Sequence, residues 1–296
     1  MASNSVLPNS FSETTARLNE TRRIKVIRAP TFSAFALLGN LTALVQYRDL
    51  LYTLSVHRVK VRYKQSLLGF SWAILQPLSL MLIYTVVFSI IARVPSGKTP
   101  YAVFAYTALL LWTFFSTALT NATSGLVSHA HLVTKVYFPR EILPLTYVIA
   151  ALFDLMVASS VLSALMIYYN VQLTFYALYA IPIVLVLAVF VTAIAFLFSA
   201  TQVRFRDVGV AMPLLLQLWM FATPVVYPLD QVPKRFLALY MLNPMVGVIE
   251  NFRRVILDGA PPNFRALGIS ALISVLLLPV SYIYFKRVEA TVADII

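Results

Sequence analysis

Six apolar runs of about twenty residues constrain this chain more than any other feature, because each is long enough for a helix to cross a bilayer core. They are Trp72–Ala92, Tyr101–Thr120, Ile142–Tyr169, Leu173–Ala200, Val208–Tyr227 and Ala266–Phe285. Composition agrees: 60% of the residues are hydrophobic and 11% charged, where soluble domains hold roughly 45–50% and 25%. A soluble core cannot absorb that surplus. The sequence therefore predicts an all-α integral membrane protein whose residues 67–287 form six transmembrane helices.

Orientation follows from the cations. Arg58, Lys60, Arg62 and Lys64 run directly into the first apolar stretch, and ten of the 23 Lys and Arg residues precede Trp72. A charge held at the bilayer centre costs about 2.5–3.5 kcal/mol on insertion scales, so this block stays cytosolic with Trp72 at the interface. Six crossings return the C-terminus to the same side. Sixteen basic residues then fall on the cytosolic side and seven outside, the bias that multi-pass proteins show. The net charge of +12 is thereby explained without nucleic acid as a partner. The first 30 residues lack the apolar core of a signal peptide. Residues 1–40 are expected to be a cytosolic tail, and 288–296 a cytosolic C-terminus.

Three connections carry structure of their own. Residues 41–66 interleave Leu41, Leu44, Leu51 and Leu54 with Arg48, Asp49, Arg58 and Lys60, the pattern of an amphipathic helix lying along a membrane surface. Residues 121–141 form a polar, helix-compatible interlude on the cytosolic side, closed by Pro139. The outer segment from Pro228 to Arg265 carries Asp230, Glu250 and Asp258 and is too short and polar for two more spans. Short amphipathic or re-entrant helices broken at Pro244 are expected there, since irregular backbone at membrane depth is tolerated where protein buries it.

Enzymatic chemistry finds little footing. His57, His129 and His131 are the only histidines, cysteine is absent, and no H-E-x-x-H or G-x-S-x-G spacing occurs. His129 and His131, two apart, point to different sides of a helix and make no metal pair. The run Ala92–Thr99 ends in Gly97-Lys98-Thr99 like a phosphate loop, but it lacks the first glycine and the preceding strand, and it faces away from cytosolic ATP. A membrane-embedded glycosyltransferase would need clustered acids; Asp230, Glu250 and Asp258 come nearest, without a convincing spacing. No catalytic residue, cofactor or metal site is expected.

The remaining candidates have two readings each. Asp154 is a lone acid inside a span, which marks function when it faces protein or water; otherwise it pairs with a helix end or with Ser159 or Ser160. Tyr84 and Phe88, then Phe104, Trp112 and Phe115, then Trp219 and Tyr227 fall in rows. They either pack against lipid and helices or line a sugar conduit together with Gln217. In the second case a pyranose lays its C–H face on a ring while its hydroxyls reach Tyr O–H, Trp N–H or the amide. Arg58, Arg62 and Lys64 either anchor the chain or collect an anionic lipid head group, and the guanidinium fork suits phosphate.

The combined strings are specific. Arg62-Tyr63-Lys64-Gln65-Ser66-Leu67-Leu68-Gly69 followed by Trp72-Ala73-Ile74-Leu75-Gln76-Pro77 resembles the start of the first span in ABC-type polysaccharide and polyol-phosphate export permeases. Further strings match in order: Trp112-Thr113-Phe114-Phe115, Lys135-Val136-Tyr137-Phe138-Pro139-Arg140 with Leu143-Pro144, and Arg204-Phe205-Arg206-Asp207. Pro224-Val225-Val226-Tyr227-Pro228 and Leu242-Asn243-Pro244-Met245 complete the set. The resemblance spans about Leu44 to Phe285. It implies a homodimeric permease in a bacterial inner membrane, both termini cytosolic, driven by two copies of a separate ATPase that binds the ATP and Mg. The substrate implied is an undecaprenyl-type lipid-linked polysaccharide of O-antigen or teichoic-acid type; a drug or small-lipid exporter of the same architecture is the alternative. By the same resemblance, 42–58 is the interfacial helix, 121–135 holds the ATPase-coupling helix with Ser128, His129, His131 and Lys135, and 229–262 forms outer gate helices. The first and fifth spans line the conduit. This chain departs from the family in having His57-Arg58 where Arg-Asp is usual, and in its N-terminal extension of about 40 residues.

Overall fold

A computed structural model describes residues 46–64, 69, 71–94, 99–135 and 138–295, with the side chains of 133–134 and 290–295 excepted. All belong to one compact unit, Leu41–Ile296. The expected tail at 1–40, the ends of the surface helix at 41–45 and 65–66, and the phosphate-loop-like residues 95–98 lie outside the described residues.

The described residues form helices and no strand. We number them α1 (Arg48–Lys64), α2 (Ser71–Tyr84), α3 (Tyr101–Ser128), α4 (Ala130–Lys135), α5 (Ile142–Tyr168) and α6 (Ala180–Arg204). The remaining four are α7 (Asp207–Phe221), α8 (Lys234–Met241), α9 (Pro244–Ile256) and α10 (Phe264–Ile295). A π-helical turn, Thr85–Ile91, extends α2, and a 3₁₀ turn, Phe175–Tyr179, leads into α6.

The core is built on α3. Pro100 is its N-cap, and the Pro100 carbonyl accepts from the Val103 and Phe104 N–H groups at 3.1 and 3.2 Å, which starts the helix. From Val103 to Leu111 every side chain of α3 is buried, so this helix is enclosed by protein while its neighbours turn one face to lipid. Helices α5, α6, α2, α7 and α9 all touch it, and α10 lies against α6. The α9–α10 crossing is close because Gly247 has no side chain: a Cβ there would lie 2.8 Å from the Ala266 carbonyl and closer still to Ser270.

Five helices are long and apolar enough to span a membrane: Ser71–Ile91, Tyr101–Ser128, Ile142–Tyr168, Phe175–Arg204 and Phe264–Glu289. The protein is therefore a multi-pass membrane protein. The fifth expected span, Val208–Tyr227, differs. Its helix, α7, has 15 residues, about 22 Å at 1.5 Å per residue, against a core of about 30 Å. Beyond Phe221 the apolar sequence continues, yet the chain turns out of the helix, because its carbonyls are satisfied from elsewhere, as set out below. A second correction concerns 121–128, expected in a cytosolic interlude: these residues prolong α3, and only Ala130–Lys135 forms a separate helix. The segment expected at the outer face holds two short helices, α8 and α9. They meet where Asn243 caps α9, its side chain accepting from Met245 N, with Pro244 at the first position.

Candidate functional site

Three polar clusters interrupt the apolar bundle, and each joins elements far apart in sequence.

The first joins α1 to α5. Arg58 and Arg62 stand one turn apart on one face of α1, with Tyr63 beside Arg62. Arg58 Nε donates to Thr146 Oγ1 at 2.6 Å, and its guanidinium carbon lies 3.5 Å from the centre of the Tyr147 ring. Two turns deeper, Arg62 pairs with Asp154, and Tyr63 Oη donates to the other carboxylate oxygen at 2.5 Å. Burial, then the hydrogen bond to Asp154, push the Tyr63 phenol up to about 12, so it stays a donor. Ser159 and Ser160, expected as partners for Asp154, instead return their hydroxyls to Leu155 O and Val157 O of their own helix, both at 2.7 Å. The basic block is thus not a row of free anchors. Arg58 and Arg62 clasp α1 to a span, while His57, Lys60 and Lys64 remain exposed.

The clasp continues into the C-terminal end of α3. The Tyr147 ring fills the place where Gly125 has no side chain; a Cβ there would be 2.6 Å from the ring. His129 Nδ1 lies 3.0 Å from Gly125 O, and its ring meets Tyr147 edge-on at 6.4 Å. Burial lowers the His129 pKa, and the Arg58 charge lowers it further. Of the other residues expected at the coupling helix, Ser128, His131 and Lys135 are exposed. The chain Arg58–Tyr147–His129 therefore runs from the clasp to the helix α4 that carries His131 and Lys135.

The second cluster fastens the start of α5 to the end of α10. Glu141, 1% exposed, accepts from Lys286 Nζ at 2.7 Å and from Tyr282 Oη at 3.2 Å. Glu289 accepts from Lys286 and from the Arg140 backbone N–H. Burial raises the Glu141 pKa, Glu289 adds to this, and Lys286 opposes it.

The third cluster lies at the opposite end of α3 and explains the short α7. Arg253, one of the seven basic residues expected on the outer side, is 4% exposed. Its guanidinium donates to Pro224 O at 2.7 Å, Val225 O at 2.5 Å and Phe104 O at 3.3 Å, and lies 3.6 Å from the Phe104 ring centre. Tyr101 Oη donates to Val226 O at 2.6 Å. Three successive carbonyls after α7 are thus satisfied by side chains, which permits backbone without helix inside the fold. Asn243 adds a second tie, accepting from Trp219 Nε1 at 3.3 Å and donating to Thr223 Oγ1 at 2.9 Å. In the sequence Arg253 counts only as one of the outer cations. Its spacing held the signal: it lies four residues after Ile249 and three before Ile256, on the apolar face of α9.

The expected conduit aromatics divide. Phe104, Trp112 and Phe115 are buried inside the protomer rather than on an open wall; Phe115 stacks on Phe190 at 5.9 Å and meets Trp219 edge-on at 5.0 Å. Trp219 and Tyr227 are half-buried, and Tyr227 donates to Phe221 O at 2.8 Å. Tyr84 and Phe88, in edge contact at 5.9 Å, flank α7, where Tyr84 Oη is 3.8 Å from Met220 Sδ. Gln217 is exposed on α7. Among the described residues no group of three or more His, Cys, Asp or Glu is placed to hold a metal.

The described residues form a helical membrane bundle with charged clasps at both ends of its central helix. The ABC-2 type transporter family matches residues 49–257, and the chain belongs to that family. It is 33% identical over 237 residues to the O-antigen export system permease protein RfbA of Myxococcus xanthus, covering 79% of this chain and 90% of that protein. It is 28% identical over 249 residues to the protein of the same name from Klebsiella pneumoniae, covering 84% and 95%. The polysialic acid transport protein KpsM of Escherichia coli is 22% identical over 246 residues, covering 80% and 93%.

Proposed function

We propose that this chain is the membrane subunit of an ATP-driven exporter that carries an undecaprenyl-type lipid-linked polysaccharide from the cytosol to the outer face of a bacterial inner membrane. The observation that carries this is the near end-to-end likeness to O-antigen export permeases, 33% identical over 79% of the chain.

Two copies meet along α2 with its π-helical extension and along α7, whose apolar faces leave Leu82, Ile83, Val86, Leu214 and Leu218 exposed in the protomer. Gln217, a polar group on that otherwise apolar face, suits a hydrated seam better than lipid. Tyr84, Phe88, Trp219 and Tyr227 border the seam and offer rings to passing sugars. In this arrangement α7 makes the sixth crossing with the turn that follows it, both termini are cytosolic, and α8 and α9 gate the outer mouth. Two ATPase subunits bind ATP and Mg and press on His129, His131 and Lys135 around α4. The push passes through Tyr147 to Arg58. The carrier pyrophosphate enters at Lys64 and Arg62 and competes with Asp154 for the Arg62 fork, a phosphate being the better bidentate acceptor.

Replacing Arg62 and Lys64 together by Ala should abolish surface glycan while the protein still inserts and binds its ATPase. Normal surface glycan in that strain would refute the phosphate gate, and normal glycan in a strain lacking the gene would refute the exporter itself.

A further inference from the structure

A cavity of about 240 Å³ opens where α1, α2, α3 and α5 converge, beside the Arg62–Asp154 pair. It is smaller than the roughly 300 Å³ at which pockets for drug-sized ligands begin, so it has room for one small ring and not for an oligomer. Its walls alternate two kinds of surface. Leu110, Phe114, Ala151, Leu155 and Ala158 are apolar, whereas Gln76, Thr113, Thr117, Asn121 and Asp154 are polar. That many polar groups beside lipid require a polar occupant or one another.

They do not fully satisfy one another. Thr107, Thr120 and Thr123 of α3 each return their hydroxyl to the carbonyl four residues back, at 2.6–2.8 Å. Thr113 does not: its Oγ1 is buried and has no hydrogen-bond partner among the described residues. Asn121 spends its Nδ2 on Thr117 O at 2.8 Å and keeps Oδ1 open. The Gln76 side chain is exposed toward the cavity mouth with both amide ends free among the described residues. Trp72 stands at the same mouth, 53% exposed, one turn before Gln76 on α2. The Arg62–Asp154 pair neutralises itself, so the cavity carries no net charge to attract a free anion. Yet a guanidinium has five N–H donors and a carboxylate several lone pairs, so both ends can serve further partners.

A ring with one apolar C–H face and several hydroxyls, each both donor and acceptor, matches this lining. We infer that the cavity is a subsite for one hexopyranose, the sugar joined directly to the carrier pyrophosphate, with its C–H face on Trp72 and its hydroxyls on Asn121, Gln76, Thr113 and Asp154. This rests on the exporter function proposed above and extends it: the phosphate stays at Lys64 and Arg62, and the first sugar is read immediately inside them. Release of Asp154 from Arg62 by the phosphate frees carboxylate lone pairs for sugar hydroxyls, so the two contacts are made in one step. The transporter would thereby check the reducing-end unit of a long chain and leave the rest of the polymer unread.

The test uses the full-length protein in lipid nanodiscs and three probes: a short polyprenyl pyrophosphate bearing one glucose, the same pyrophosphate without sugar, and free glucose. The sugar-bearing probe should bind about tenfold more tightly than the bare pyrophosphate, and free glucose should not displace it. Asn121→Leu and Gln76→Leu should each erase the tenfold preference without changing binding of the bare pyrophosphate. Trp72→Phe should keep most of the preference and Trp72→Leu lose it. Equal binding of the two lipid probes, or an unchanged preference in the variants, overturns the subsite and leaves the exporter function standing. Displacement by free glucose assigns the cavity to an unlinked sugar and overturns the carrier-linked assignment. If neither lipid probe binds, subsite and exporter function fall together.

Discussion

Removing one partner of the Arg62–Asp154 pair should destabilise the protein far more than removing both. The side chains are 31% and 17% exposed, between the regime of exposed pairs, worth about 0–1 kcal/mol, and that of buried pairs, whose disruption costs about 3–5 kcal/mol. With Arg62 nearly a third exposed, about 2 kcal/mol is the appropriate share for leaving its charge unpaired. Asp154→Ala also strands the Tyr63 hydroxyl, for about 1 kcal/mol more. The single variant should therefore lose about 3 kcal/mol. Arg62→Leu leaves Asp154 with only the Tyr63 donor and should lose about 2 kcal/mol. Arg62→Leu with Asp154→Leu removes both charges and fills the space with apolar atoms, so it should lose about 1 kcal/mol in all. At roughly 2–4 °C per kcal/mol for a large domain, thermal unfolding followed by size-exclusion fluorescence in detergent should show the Asp154 variant melting about 6–12 °C low. The double variant should recover most of that loss. Single-variant losses that simply add in the double variant would mean that the pair carries no coupling energy, and the clasp would be disproved.

Other expectations follow from the same contacts. Arg253→Leu strands the Pro224 and Val225 carbonyls, at about 1–3 kcal/mol each, and should lower the melting temperature sharply. Arg253→Lys, which lacks the fork, should recover less than half, and full recovery would deny the multi-carbonyl geometry. Gly125→Ala would ordinarily stabilise a helix by about 1 kcal/mol; here the 2.6 Å approach to Tyr147 should make it destabilising by about 1–3 kcal/mol, and Tyr147→Leu should relieve the effect. A stabilising Gly125→Ala would remove the contact. The His129 pKa is lowered from 6.5 by burial, so the unfolded chain binds its proton more readily. The stability it contributes is full above about pH 6.5 and is lost as pH falls through its lower folded value. The melting temperature of the native protein should drop more steeply below pH 6.5 than that of His129→Gln; parallel curves would place His129 in solvent.

Apolar runs were enough to place five of the six expected spans, because a helix in lipid must satisfy its own backbone and leaves few alternatives; the run Val208–Tyr227 formed only the 15-residue α7. The Asn243-Pro244 break between α8 and α9 was legible for the same local reason. Partners were not. Asp154 had two serines within a turn, and both turned to their own carbonyls, while its ion-pair partner lies 92 residues away on another helix. Phe104, Trp112 and Phe115 have a conduit-like spacing, but spacing cannot say whether a face meets water or another helix. Phe115 is enclosed by Phe190 and Trp219, which only packing could reveal.

The sequence by itself determined the membrane class, the rough limits of the five long helices and the resemblance to export permeases, though not that the run Val208–Tyr227 would form only a short helix, because hydropathy and backbone satisfaction are local properties summed along the chain. Tertiary structure alone decided which charges are bound and which are free. It also decided where α7 ends and which polar groups line the cavity beside Asp154. Those outcomes depend on distances between helices far apart in the chain, where one guanidinium can either sit in water or supply the hydrogen bonds that let an apolar segment stop being a helix.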